Sequence, residues 1–133
     1  MKPKKYLLDT NICVFFLRKK HNISSYIKSV GLENCFISEI TVAELLYGAE
    51  CSSQVEQNLD LVRDFCSNLN VYPISDSLEI FAKEKTKLRK AGKIIDDFDL
   101  LIGVTAIRHD CILVTDNLKH LERLPVEIEN WIN

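Results

Sequence analysis

Apolar residues along this chain fall into two kinds of run that take turns. Short continuous runs read as strands at 5–9, 34–38 ("NCFIS"), 70–74 ("NVYPI"), 111–115 ("CILVT") and 126–130 ("VEIEN"). Between them, apolar residues recur three and four apart, the spacing of a helix with one buried face. Helices are expected at 11–19, 22–30, 39–50, 53–69, from "SDSLE" to about Ala91, and over 98–109, starting near Asp96 or Asp97. Val55, Leu59, Val62 and Cys66 form one inward stripe. Phe98, Leu101, Ile102, Thr105 and Ala106 form another. Punctuation agrees: Ser38 can cap the helix over 39–50, and Gly92 can end the long one. Apolar strands joined by helical crossovers imply a parallel sheet covered on both faces, with ligands bound beyond the carboxyl ends of its strands.

Length and composition narrow this picture. At 133 residues, with no repeat, linker or low-complexity segment, residues 1–133 are expected to form a single domain. No apolar run is long enough to span a membrane. The basic start, Met1-Lys2-Pro3-Lys4-Lys5, precedes only Tyr6-Leu7-Leu8, so a signal peptide is not expected. Cysteines stand at 13, 35, 51, 66 and 111, an odd count without C-x-x-C spacing and mostly among apolar neighbours. They read as reduced core residues of a cytoplasmic protein. The net charge of −2 excludes a chain that binds nucleic acid by bulk charge alone. Charge is nevertheless local: "KEKTKLRKAGK", 83–93, holds six of the 17 basic residues and one acid. Such a run is an ordinary solvated helix face or a track for a polyanion.

The acids carry the chemistry. Asp9 ends the first strand, where a helix begins, and Thr115-Asp116 ends the fourth in the same way. Asp96, Asp97 and Asp99 crowd the first turn of one helix. One of the first two serves as N-cap, and a helix dipole accommodates another acid there, by about 0.3–1 kcal/mol. A third exceeds what capping needs, and Asp99 leans toward the packed side. Glu44 has Ile40, Thr41, Tyr47 and Gly48 as its helical neighbours, none charged, and Gly48 leaves room beside it. Carboxylates converging at a sheet edge repel and take up protons unless a cation offsets them. Oxygen-only donors suit Mg²⁺ or Mn²⁺, and His21, His109 and His120 form no cluster for zinc. A metal held by carboxylates suits phosphodiester hydrolysis.

Four segments in this order, "LLDTNI", "ISEITVAELLYGAE", "DFDLLIGVTAI" and "LVTDNLKHL", resemble the PIN-domain ribonucleases, in particular the VapC toxins of bacterial toxin–antitoxin pairs. The resemblance spans essentially the whole chain. It implies a three-layer α/β/α sandwich with a central, mainly parallel sheet, and a Mg²⁺- or Mn²⁺-dependent endoribonuclease. It places the family's acids on Asp9, Glu44 and Asp99, with Asp9 and Asp99 binding metal and Glu44 acting on a water. The fourth position falls on Asn117, with Asp116 directly before it, and which of the two faces the metal is open. Thr10 and Asn11 match the family's D-[TS]-[NS]; Asp97 is an outer-sphere candidate, and Thr115 supplies a hydroxyl. Lys83, Lys87 and Lys90, and Arg18-Lys19-Lys20, are candidate RNA contacts on charge alone. The resemblance further implies a homodimer and a VapB-like antitoxin seated in the groove near Asp9 and Glu44.

Rival families fit less well. A haloacid-dehalogenase-type phosphatase wants an acid where Asn11 stands, and a receiver domain wants one ending its third strand, which here reads "VYPIS". A third alternative is a catalytically inactive module that binds RNA or an antitoxin. The retained acids disfavour it for RNA, because they repel the phosphate backbone.

Overall fold

The structure, a computed structural model, describes residues 2–132. Five strands, β1 (Tyr6–Leu8), β2 (Cys35–Ser38), β3 (Asn70–Tyr72), β4 (Ile112–Val114) and β5 (Ile128–Glu129), form one sheet in the order β3-β2-β1-β4-β5. Every pairing is parallel. Among the described residues, seven α-helices connect them: α1 (Thr10–Leu17), α2 (Ile23–Val30), α3 (Glu39–Glu50), α4 (Val55–Ser67), α5 (Leu78–Lys90), α6 (Asp97–Arg108) and α7 (Leu118–Leu121). The expected strand–helix alternation is present, with each strand shorter than its apolar run. The four-residue α7 is not foreshadowed by periodicity, because one turn is too short to show any. No helix among the described residues is long and apolar enough to cross a membrane.

Strand residues divide strictly by face, as the two-residue period of a strand requires. Tyr6, Leu8, Cys35, Ile37, Ile112 and Val114 pack with α1–α4, while Leu7 and Leu113 pack with α5, α6 and α7. These are the outer layers of an α/β/α sandwich. Trp131, just after β5, closes the first core, stacked on Tyr26 with ring centroids 5.1 Å apart.

Local chemistry sets the helix ends. The Ser38 hydroxyl accepts from Ile40 N at 3.1 Å and caps α3. Gly92, at φ +69°, ends α5 in a double-bonded turn: Gly92 N donates to Arg89 O and Lys93 N to Leu88 O. Helix α6 departs from the expected stripe. Phe98 is 48% exposed, while Leu100, Ile102, Gly103, Val104, Thr105 and Ala106 are all buried. A helix wedged against sheet, α5 and α7 buries more than one face, so its apolar positions do not reveal an inward side. Gly103 explains the close approach of the 121–124 segment, since an added Cβ would lie 2.4 Å from Leu124 Cδ1. Gly103→Val is expected to lower stability by about 1–3 kcal/mol through overpacking, read as a reduced urea midpoint at unchanged slope.

All five cysteines are free thiols, but only Cys13, Cys35 and Cys111 are buried; Cys51 is exposed and Cys66 is half-buried. Cys51 is the C-cap residue of α3, between the polar Glu50 and Ser52.

Candidate active site

Strand order decides where the acids meet. The chain runs outward from β1 to β2 to β3, then crosses back to place β4 on the other side of β1. The boundary between β1 and β4 is where the connections diverge to opposite sides, the usual ligand crevice of an open parallel sheet. Leu8 pairs with Val114, so Asp9 and Thr115 leave the sheet side by side. Asp9 N donates to Val114 O at 2.9 Å, which extends the pairing by one bond.

Asp9 is 4% exposed and has two tasks. It caps α1, with Oδ1 accepting from Thr10 N at 2.8 Å. Its Oδ2 accepts the Thr115 hydroxyl at 2.7 Å. Each carboxylate oxygen keeps a lone pair for another partner. The Thr10 hydroxyl reaches the other way and donates to Glu44 Oε1 at 2.6 Å, while sharing a 3.1 Å bond with the Thr41 hydroxyl. Thr41 is fully buried one turn before Glu44. It belongs to the site, and its only trace in the sequence is its i−3 spacing from Glu44. Beside Glu44 lies the expected recess, a cleft of about 230 Å³ lined also by Gly48, Leu17, Arg18 and Leu61.

On the far side, Asp96 is the N-cap of α6, accepting from Phe98 N at 3.1 Å. That leaves Asp99, one turn along, facing the other acids. Asn117 Nδ2 donates to Asp99 Oδ2 over a long 3.4 Å, and Asn117 N donates to Thr115 Oγ1 at 2.9 Å. Of the two residues open at this position, Asn117 therefore contacts Asp99. Asp116 is exposed and accepts from Asn11 Nδ2 at 3.4 Å.

Asp97 stands apart from this group. It forms an exposed ion pair with Lys85 Nζ at 2.9 Å. Lys83, Lys87 and Lys90 are exposed on α5, and Lys87 pairs with Glu84 at 3.2 Å. Arg18 borders the Glu44 cleft, while Lys19 and Lys20 line a larger one of about 550 Å³ between α1, α2 and α4.

The electrostatics of the cluster are those of crowded anions. Burial is the main cause that raises the Asp9 carboxyl above its ordinary value; Thr115 and Thr10 lower it, and Glu44 and Asp116 add repulsion. Burial, then repulsion from Asp9, Asp96 and Glu44, pushes Asp99 up to about 6. Among the described residues, no Lys, Arg or His lies within ion-pairing distance of Asp9, Glu44 or Asp99. The donor set is all oxygen, anionic and uncompensated, which fits a hard cation better than zinc. Among the described residues no three acidic, His or Cys side chains converge tightly enough to ligate one ion together. Mg²⁺ tolerates that, since it commonly takes one or two carboxylates and keeps waters for the rest.

A family model described as the PIN domain matches residues 6–126. The chain is 36% identical to a ribonuclease VapC2 of Haemophilus influenzae, over 96% of this chain and 98% of that protein. It is 33% identical to the tRNA(fMet)-specific endonuclease VapC of Salmonella typhimurium, over 96% and 98%. The crystal structure of DNA-bound VapBC from Salmonella typhimurium superposes with a TM-score of 0.88 at 34% identity, covering 96% of this chain and 98% of that one. The chain therefore belongs to the PIN-domain family, among the VapC ribonucleases.

Proposed function

We propose that this chain is a Mg²⁺- or Mn²⁺-dependent endoribonuclease and the toxin of a type II, VapBC-like toxin–antitoxin pair. The observation that carries this is the anionic cluster at the β1/β4 boundary, in which Asp9 and Asp99 repel each other and, among the described residues, no cationic side chain pairs with either. When bound, a hard divalent ion supplies a more acidic water and offsets charge on the scissile phosphate.

The chain's own groups do the rest. Asp9 and Asp99 are the residues that would hold the ion. Thr10 and Thr115 fix both Asp9 oxygens, so its carboxylate does not rotate between ion and solvent. Glu44, anchored at Oε1 by Thr10, has Oε2 available to take a proton from the attacking water. Thr115→Val is expected to cut cleavage about tenfold or more, because a hydrogen bond to a charged group is lost. Thr115→Ser should stay within about threefold, since it keeps that bond. Equal rates for the two variants would remove Thr115 from this account.

Substrate and partner follow from the relatives. A relative named for tRNA(fMet) makes tRNA the first substrate class to test. The exposed Lys83, Lys87 and Lys90 of α5 are candidate contacts for the RNA backbone. Solved relatives are VapBC complexes, which supports a VapB-like antitoxin as partner. The Glu44 cleft shares Leu17 and Leu61 with the larger apolar cleft, so one antitoxin segment can run along both with a cationic side chain toward the acids. The working unit is expected to be a homodimer.

The test incubates purified protein with total RNA and with single tRNAs, in Mg²⁺, in Mn²⁺ and in excess chelator, alongside Asp9→Asn. Metal-dependent cleavage by the wild type alone supports the proposal. No cleavage by either, with RNA or antitoxin still bound, makes the chain an inactive binding module instead.

A further inference from the structure

We infer that His120 is a positioning residue, whose Nδ1–H holds the Asn117 amide so that it donates to Asp99. The consequence for catalysis rests on the endoribonuclease reading above; the hydrogen-bonding arrangement itself does not.

Asn117 is the residue that precedes α7, where asparagine is among the preferred N-caps. Its side chain makes no cap bond to that helix. It is diverted instead: Nδ2 points to Asp99 Oδ2 at 3.4 Å, and Oδ1 lies 3.0 Å from His120 Nδ1. Chemistry assigns the roles. A carboxylate accepts only, so the amide must turn its NH₂ toward Asp99. The amide oxygen then faces His120, and an oxygen acceptor needs a donor opposite. The imidazole is therefore protonated on Nδ1, and its Nε2 is left to face outward on an exposed residue.

Without that donor, nothing on the far side opposes rotation of the amide. The terminal torsion of Asn is broad and roughly two-fold, so the group can turn its oxygen toward Asp99 or swing back to cap α7. Asp99 would then lose the side-chain hydrogen bond it accepts from Asn117. The backbone N–H of the same Asn117 bonds Thr115 Oγ1, which in turn holds Asp9. One residue thus touches the supports of both proposed metal carboxylates, and His120, one turn further on, steadies its side chain.

The test compares His120→Ala, His120→Asn and His120→Gln with the wild type. An asparagine carries its amide nitrogen near the place of Nδ1; a glutamine carries it near Nε2, out of reach of Asn117. Mn²⁺ affinity, read from the free-ion electron paramagnetic resonance signal, should fall about three- to tenfold in the Ala and Gln variants and stay within about twofold of wild type in the Asn variant. Single-turnover cleavage of RNA should follow the same order in its maximal rate, with the half-saturating RNA concentration unchanged. Melting temperatures should coincide, since His120 is exposed. A long-range ¹H–¹⁵N spectrum should show the Nδ1–H tautomer in wild type and its loss in Asn117→Ala. An Nε2–H tautomer in wild type, Gln rescuing as well as Asn, or a change confined to RNA affinity would each overturn the assignment. Should no RNA be cut by the wild type, the enzyme reading fails, while the tautomer still decides what His120 does.

Discussion

Asp9→Asn is expected to lower the cleavage rate by about 10³-fold or more while the fold is kept. Metal-assisted charge stabilisation is worth several kcal/mol of transition-state energy, and each 1.4 kcal/mol is tenfold in rate. The amide is nearly isosteric and makes a good cap: its oxygen can accept from Thr10 N, and its NH₂ can donate to Thr115 Oγ1. What disappears is the negative charge, and with it one of the two proposed metal carboxylates. The measurement is single-turnover cleavage at saturating Mg²⁺, with far-UV circular dichroism as the folding control. A folded Asp9→Asn variant that retains a tenth of wild-type activity would remove Asp9 from the metal site.

Asp99→Asn is expected to lose cleavage to a similar degree and yet to make the metal-free protein more stable. The Asp99 carboxyl sits at about 6 in the folded chain, against 3.8 for an ordinary aspartate. The folded state therefore holds this proton to higher pH than the unfolded state does. Stability contributed by the protonated form is complete below the unfolded value and falls as pH rises toward 6. Taken whole, a displacement of this size would cost about 3 kcal/mol at neutral pH, but Asp99 is half-exposed and solvent screening leaves about 1 kcal/mol. Removing the charge should raise the melting temperature in chelator by about 3–5 °C at pH 7. The gain should shrink as pH is lowered to 4, where wild-type Asp99 is protonated in the folded state anyway. Saturating Mg²⁺ should stabilise the wild type and barely move the variant, because a ligand that binds only the folded state, at free concentration L, stabilises it by RT ln(1 + L/Kd), which is small where affinity is lost. A metal-free Asp99→Asn protein that melts below the wild type at pH 7 would contradict the crowding of anions on which the metal site is argued.

Much of this was legible residue by residue. The end of a short apolar run on Asp9, with Thr10 behind it, announces both a helix cap and a carboxylate at a sheet edge, and Asp9 does both. Glu44 beside Gly48 announces a recess, and a cleft is there. Ser38 and Gly92 bound their helices through backbone chemistry that needs no tertiary partner. These features are local, and local interactions are written in adjacent positions. Phe98 misleads because α6 is packed on several sides. Three neighbouring acids look alike in sequence, and only the structure shows that Asp97 is the one paired with Lys85.

By itself, then, the sequence determined the strand–helix alternation, the caps, the parallel sheet and the identities of the acids, because periodicity and capping act over a few residues. Tertiary structure alone decided that β1 and β4 are neighbours, and so that Asp9 meets Thr115 across more than a hundred residues. It also decided that Asp96 rather than Asp97 caps α6, and that Asn117 rather than Asp116 turns to Asp99. Those choices depend on strand order and on the rotation of each helix against the sheet. Both are set by how the two cores fill, which no short window of sequence encodes.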